Sequence, residues 1–358
     1  MQEINVSRRV AFGPNAVEKV AKICGEIGIN RLQIFSGKTV TKEITEKIVV
    51  PQLSDTLEYE HTLLPPNAEL ELLKKLAASV DHHTYLMAVG GGTVIDYVKL
   101  IATMSKSEYI AIPTNASHDG FSSPYINFIL RQKLSECSEK NQILEYQPIA
   151  PLAIIGDTSL ISQAPKDSLK AGVGDIISKW VAVKDWKLAH RLKGEDYDIY
   201  AASFSEMTAT MVEERINDLG KQFFSEKGVR ALIKALGSSG VAMCIAGSSR
   251  PASGSEHLIS HALDSLSSEY GFKVLHGHQT GINAILMMYL HGGDWHRIQS
   301  CLKKISAPLT LQDIGIDRDI MLEAIEKAQN IRPDRYTILS EGLTKKAAEK
   351  AIEATGID

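Results

Sequence analysis

The run Tyr85–Val89 (YLMAV) is continuously apolar, meets three consecutive glycines at Gly90, Gly91 and Gly92, and passes at once into a helical pattern. A short run with no polar alternation fits a strand buried on both faces, as in a parallel sheet covered by helices. Glycine lets a backbone approach a ligand closely, and the free N–H groups that open the next helix attract a diphosphate. The segment Gly90, Gly91, Gly92, Thr93, Val94, Ile95, Asp96 supplies that arrangement without the GxGxxG spacing of the ordinary dinucleotide fingerprint. A tight strand-to-helix turn without a ligand is the plainer alternative, and three glycines in a row weigh against it.

The neighbouring segments repeat the alternation. Ala16–Ile27 has helical spacing, Arg31–Ser36 reads as a strand closed by Gly37, and Glu69–Val80 groups Leu70, Leu72, Leu73, Leu76 and Ala77 on one side of a helix. Tyr109–Ile112 is another short strand, stopped by Pro113, and Leu152–Ile155 is the last. Alternation of this kind predicts an α/β N-terminal domain whose parallel sheet is covered by helices. The polar stretch Leu130–Gln147 reads as an exposed hairpin or loop inserted before the last strand. From Ser159 onward helical patterns dominate, so the boundary falls near Asp157: residues 1–157 form a dinucleotide-binding domain and 158–358 an all-α metal- and substrate-binding domain. Two domains are the default for a chain of 358 residues.

Composition narrows the function. Hydrophobic residues make up 44% and charged residues 23%, the balance of a folded globular protein. The net charge of −4 comes with no long basic block or basic–aromatic stripe, which argues against nucleic acid. No apolar run approaches the roughly 18 residues of a membrane span, and no apolar leader opens the chain. Cys24, Cys137, Cys244 and Cys301 are far apart, with no CxxC pair, as suits a reducing, cytoplasmic compartment. Any bound metal is therefore held by other residues.

A second polar loop, Thr114, Asn115, Ala116, Ser117, His118, Asp119, follows the next strand, and its short hydroxyl and amide groups suit the nicotinamide end of a cofactor. Lys38, after an earlier strand, is a candidate for a 2′-phosphate or a solvated surface lysine. Asp175 is flanked by apolar residues in GVGDIISKW; it is either a buried carboxylate needing a partner or a helix N-cap. His257 and His261 stand four apart, on one face of a helix. Ser253 and Glu256 have capping-box spacing just before them. His276 and His278 follow closely. Histidines so grouped, with a candidate buried aspartate, point to a metal site; two imidazoles and a carboxylate suit catalytic zinc, although non-haem iron uses similar ligands.

Together GGGTVID, PTNASHDGFSSP, GVGDIISKWVAVKDWKLAHRLKGE, GSSRPASGSEHLISHALD and LHGHQTGINAILMMYLH resemble the glycerol-1-phosphate dehydrogenase family, which is similar to glycerol dehydrogenase, iron-type alcohol dehydrogenase and dehydroquinate synthase. The resemblance covers most of residues 85–300 and implies a dehydroquinate synthase-like fold, with a Rossmann-like N-terminal domain and an all-helical C-terminal domain. It implies Zn2+ on Asp175, His257 and His276, substrate contacts from Asp119, Asp175 and His261, and catalysis by Asp119 and His261. Cofactor contacts to NAD or NADP are implied for Gly90 to Asp96, Thr114 to Ser117, and Ser123. Many members read HGEQ where this chain has His276-Gly277-His278-Gln279, which makes His278 a rival third ligand; His276 is favoured because it precedes the shared glycine.

The implied reaction is hydride transfer from a reduced nicotinamide to dihydroxyacetone phosphate, giving sn-glycerol 1-phosphate for membrane phospholipid synthesis. A homo-oligomer is expected. Arg250, just ahead of the histidine helix, is a candidate for the substrate phosphate or a surface arginine. The rival readings are a glycerol dehydrogenase acting on unphosphorylated polyol, a dehydroquinate-synthase-like lyase, and a nucleotide-binding protein without activity.

Overall fold

The computed structural model describes residues 4–136 and 149–358. The chain divides into two compact units, Met1–Ala116 with Gly120–Ala164, and Ser117–Asp119 with Pro165–Asp358.

In the first unit, six strands among the described residues make one sheet: β1 (Arg9–Gly13), β2 (Arg31–Gly37), β3 (Glu58–Leu64), β4 (Tyr85–Gly90), β5 (Tyr109–Pro113) and β6 (Ala153–Asp157). Their order is β1-β6-β5-β4-β2-β3 and every pair is parallel. The helices are α1 (Val20–Ile27), α2 (Val40–Ile44), α3 (Leu70–Ala78), α4 (Gly92–Ser105), α5 (Phe128–Glu136) and α6 (Thr158–Ile161). Side chains from alternate positions, including Ile34, Met87, Val89, Ile110, Ile112 and Ile155, join α1 in one apolar core. Each such side chain contributes about 1.5–3 kcal/mol when fully buried. Asp157 closes the unit: its carboxylate accepts from the backbone N–H groups of Asn15, Val17, Ser159 and Leu160, at 2.9–3.2 Å.

Strand β2 lies between β3 and β4, so the chain leaves β2 on one side and returns on the other. That reversal is a topological switch point, where open parallel sheets bind ligands beyond the strand C-termini. Ser36 is in register with Val89 there, so Gly37 and the glycine loop end on neighbouring strands. The central strands match the apolar runs of the sequence. The edge strands β1 and β3 do not, because most of their residues are exposed or half-buried and their patterns carry little apolar signal. The expected loop at Leu130–Gln147 is corrected in part: Phe128–Glu136 is helical, with Leu130 and Leu134 buried, and residues 137–148 lie outside the described residues.

The second unit holds α7 (Lys166–Ile177), α8 (Lys179–Lys193), α9 (Ile199–Leu219), α10 (Glu226–Ala246), α11 (Ser255–Tyr270), α12 (His276–Leu290), α13 (Trp295–Lys304), α14 (Arg318–Ile331) and α15 (Lys345–Thr355). By length and composition alone α10 is long and apolar enough to cross a membrane, with a mean hydropathy of 1.4. More than half of that stretch is buried, and α10 packs against α9 and α7 as a core helix. Helices α7 and α12 touch backbone to backbone. A Cβ on Gly174 would stand 2.0 Å from the Gly277 carbonyl oxygen, and one on Gly277 would stand 1.8 Å from that of Ala171. Only glycine permits this approach, and it brings Asp175, near the end of α7, beside His276 at the start of α12.

Candidate metal and cofactor sites

The sequence left Asp175 open between an N-cap and a buried carboxylate. It is not an N-cap: it lies in the last turn of α7, 1% exposed. Its Oδ2 accepts from the Asp119 N–H at 2.9 Å, and its Oδ1 lies 3.1 Å from the Lys179 ammonium. Burial works against its ionisation, but Lys179, His257 and His276 override burial and hold its carboxyl well below the usual carboxylate range.

Asp175, His257 and His276 bring one ligand atom each to within 4.8 Å of one another. His257 projects from the first turn of α11 and its Nδ1 lies 2.7 Å from the Glu256 carboxylate. Donation from Nδ1 leaves the Nε2 lone pair directed at Asp175 Oδ1, 3.6 Å away. Two acceptors face each other there, separated by little more than the roughly 3.3 Å edge of a tetrahedron with bonds of about 2.0–2.1 Å. His276 is fixed in the same way. Gln279 donates its amide to Asp264 at 3.1 Å, so its oxygen accepts from the Ser260 hydroxyl. Ser260 Oγ in turn accepts from His276 Nδ1 at 3.0 Å, leaving His276 Nε2 unprotonated. Each imidazole thus has its outer nitrogen pinned by a neighbour and its inner one available, the arrangement of metal-ligating histidines. Glu256 Oε2 is buried without a hydrogen-bond partner, so negative charge near His257 exceeds what the described donors satisfy. Burial would push His257 down, but the carboxylates of Asp175 and Glu256 hold it above its ordinary value. Both facts favour a cation here. The donor set fits zinc, and also iron.

His276, not His278, joins this group. His278 is half-buried near Asp167 and Lys170, lining a separate cavity of about 600 Å³ with Lys273 and Pro308. His261 stands beside the triad, its ring centroid 6.2 Å from that of His257 and 6.1 Å from that of His276. Burial, then His276, His257, Arg332 and Arg335, push its pKa well below the ordinary value, so it is neutral. Asp119 lies against the same group: its carboxylate accepts from Ser239 Oγ at 2.6 Å and pairs with Lys179 at 2.9 Å.

Several residues of this site escaped the sequence. Lys179 is fully buried between Asp119 and Asp175, with its third contact to the Ala252 carbonyl. Glu256, Ser260, Asp264 and Gln279 orient the imidazoles, and His118 packs edge-on against His276 at 6.1 Å. The i, i+4 spacing of Asp175 and Lys179 was the available signal for the lysine. The capping box is half formed. Gly254, not Ser253, is the N-cap of α11; Glu256 accepts from its N–H but spends the same oxygen on His257. Arg250 is not available to a substrate: Glu195 takes its Nε and Nη2, and the Tyr336 carbonyl takes Nη1.

The first unit carries the candidate cofactor loop. Gly91 is the N-cap of α4 and has no side chain to satisfy the helix's opening N–H groups; a Cβ placed on it would meet nothing within 4 Å. Gly90 serves packing, since its Cβ would stand 2.8 Å from Val94. Thr93 is exposed, Gly92 and Val94 are half-buried, and Ile95 and Asp96 are buried below the loop. Asp96 receives Lys99 on one oxygen and the backbone and amide of Asn127 on the other. The second loop starts beside the first, because the Thr114 N–H donates to the Gly90 carbonyl at 3.0 Å. Asn115 Oδ1 is buried without a hydrogen-bond partner among the described residues, and Ala116 is buried. Ser117 belongs to the second unit, and Ser123 receives the Tyr125 N–H at 3.1 Å. Lys38 is exposed after β2. Open space over an uncapped helix start, at a switch point, suits a dinucleotide diphosphate.

Residues 11–165 match the model of the iron-containing alcohol dehydrogenase family. The chain is 42% identical over 362 residues to a glycerol-1-phosphate dehydrogenase [NAD(P)+] of Pyrococcus abyssi, covering 100% of both. To that of Methanosarcina mazei it is 41% identical, covering 99% of this chain and 96% of the relative. The chain belongs to the glycerol-1-phosphate dehydrogenase family. Its fold is also that of glycerol dehydrogenase from Schizosaccharomyces pombe, with a TM-score of 0.75 at 20% identity over 99% of this chain and 90% of the other. Sulfoacetaldehyde reductase from Bifidobacterium kashiwanohense, solved with NAD+, matches with a TM-score of 0.69 at 14% identity over 99% and 98%. The expected α/β sheet, the helical half and the NAD(P)-linked oxidoreductase family all hold.

Proposed function

We propose that this protein reduces dihydroxyacetone phosphate to sn-glycerol 1-phosphate with NADH or NADPH, in the cytoplasm, as a step toward membrane phospholipid. The observation that carries the reading is the convergence of Asp175, His257 Nε2 and His276 Nε2 in a chain of this family. A zinc ion held by those three would supply a Lewis acid for the C2 carbonyl, and the nicotinamide would supply the hydride. The chain's own residues do the rest. Glu256 and Ser260 fix the two imidazoles so that neither turns its lone pair away. Lys179 pairs with both Asp175 and Asp119 and holds the Asp175 carboxyl well below the usual carboxylate range. His261 is neutral at working pH, so it can give a proton from one ring nitrogen to the new alkoxide and take one at the other. Asp119 is the second substrate contact in this reading. Gly90 to Asp96, Thr114 to Ser117 and Ser123 make up the cofactor site.

The test is NADH consumption with dihydroxyacetone phosphate, followed by chiral analysis of the product. The reading requires sn-glycerol 1-phosphate. The 3-phosphate enantiomer, or turnover of glycerol and none of its phosphate, would overturn it.

A further inference from the structure

The second unit contains a cationic group that the triad does not use. Arg335, in the turn after α14, is 5% exposed. Its guanidinium donates to the Ser253 carbonyl and, at 2.8 Å, to Ser249 Oγ. No described carboxylate lies within 4 Å of it. Arg332, at the end of α14, reaches the same Ser249 Oγ at 3.5 Å, and its carboxylate neighbour Asp334 is 3.6 Å away with its side chain 73% exposed. Arg250, close by, is neutralised by Glu195. Three guanidiniums therefore face two carboxylates, and Arg335, buried like Arg250, has no ion pair among the described residues. Burial of an unpaired charge is costly, and a guanidinium does not escape by losing its proton. Burial, with Arg332 and Arg250 beside it, weighs heavily against the Arg335 charge. An anion is the remaining way to satisfy it.

The position of this group says which anion. Ser249–Ser253 is the loop that leads into α11 and His257. Its consecutive carbonyls are held from two sides: Ala252 by Lys179, which touches Asp175, and Ser253 by Arg335. Arg335 is thus one peptide unit from the lysine that supports the metal triad. Both guanidiniums also act electrostatically on His261. We propose that Arg335 and Arg332, gathered at Ser249, form the subsite for the phosphate monoester of the three-carbon substrate. The proposal rests on the reading of the triad as the reacting centre. A guanidinium fork suits phosphate oxygens, and an unphosphorylated polyol would leave the buried cation unmatched. The subsite therefore discriminates glycerol phosphate from glycerol.

The experiment uses Arg335→Gln and Arg332→Gln in the full chain, with circular dichroism and zinc content as checks of fold. Inorganic phosphate is the probe, measured by calorimetry and as a competitive inhibitor against dihydroxyacetone phosphate. For Arg335→Gln, phosphate binding is expected to vanish and kcat/KM on dihydroxyacetone phosphate to fall on the order of 100-fold or more, chiefly through KM. On unphosphorylated dihydroxyacetone, kcat/KM stays within about threefold of the unaltered enzyme. Arg332→Gln shows the same split to a smaller degree. Should Arg335→Gln not fold, Arg332→Gln and Arg335→Lys decide, the lysine restoring charge without the fork. Undiminished phosphate binding in folded variants, or equal loss on both ketones, overturns the subsite. The unaltered protein reports separately on the parent reading: if it binds phosphate through these arginines yet leaves dihydroxyacetone phosphate unreduced, the proposed function fails and the anion site stands.

Discussion

At the residue scale, the account depends on which nitrogen of each histidine is spoken for. Glu256 and Ser260 take the Nδ1 atoms of His257 and His276, so both Nε2 atoms turn toward Asp175. Asp175→Asn, His257→Ala and His276→Ala are each expected to lower zinc affinity by at least about 100-fold, whereas His278→Ala keeps one equivalent. Metal analysis after gel filtration decides; retention by His276→Ala with loss by His278→Ala reverses the assignment. Asp264 gives a pH test. Burial pushes its carboxyl from an ordinary 3.8 up to about 6, against the hydrogen bond from Gln279. The folded state therefore binds this proton more tightly than the unfolded state. The associated stability is complete below pH 4 and is lost as pH rises through about 6, at most about 3 kcal/mol for two pH units. Asp264→Asn should raise the urea midpoint at pH 8 and leave it nearly unchanged at pH 4. A difference independent of pH contradicts this. The histidines were legible because several lie close together at helical spacing, whereas Asp264, Ser260 and Gln279 are ordinary residues whose role exists only once α11 and α12 pack.

At the element scale, two glycine-dependent contacts set the geometry. Gly174 and Gly277 let α7 and α12 meet, and Gly91 opens α4 at the switch point of the sheet. Gly91→Val tests the second. The φ of −80° at Gly91 is available to valine, and the added Cβ meets no protein atom, so the fold should survive. NADH titration by fluorescence should show affinity reduced at least about 100-fold, since the side chain fills the space over the helix start. Unaltered NADH affinity in a folded variant removes the loop from the cofactor site. The central strands β2, β4, β5 and β6 were readable because burial on both faces makes each one an apolar run. Edge strands β1 and β3 were not, since exposed edges tolerate Arg9, Glu58 and Glu60. Phe128–Glu136 was missed because its few apolar residues look like a polar loop until Leu130 and Leu134 find a core.

At the scale of the whole molecule, the parallel sheet and the helical unit each assemble a site from residues distant in sequence. The first joins a glycine loop to the loop after the next strand. The second joins Asp119, α7, α11 and α12 around one buried lysine. Sequence motifs disclosed the family and the ligand candidates. They did not disclose that Arg250 is spent on Glu195 while Arg335 is buried with no counterion among the described residues, because ion pairing is a property of the packed chain. The central claim, that this triad holds the metal on which reduction depends, is tested most directly by titrating Zn2+ into chelator-stripped protein while NADH oxidation with dihydroxyacetone phosphate is followed. The account predicts no turnover at the start, a linear rise to one equivalent per chain, a plateau beyond it, and sn-glycerol 1-phosphate as the product. Full turnover in the stripped protein, or a rise that ignores the one-equivalent point, would contradict it.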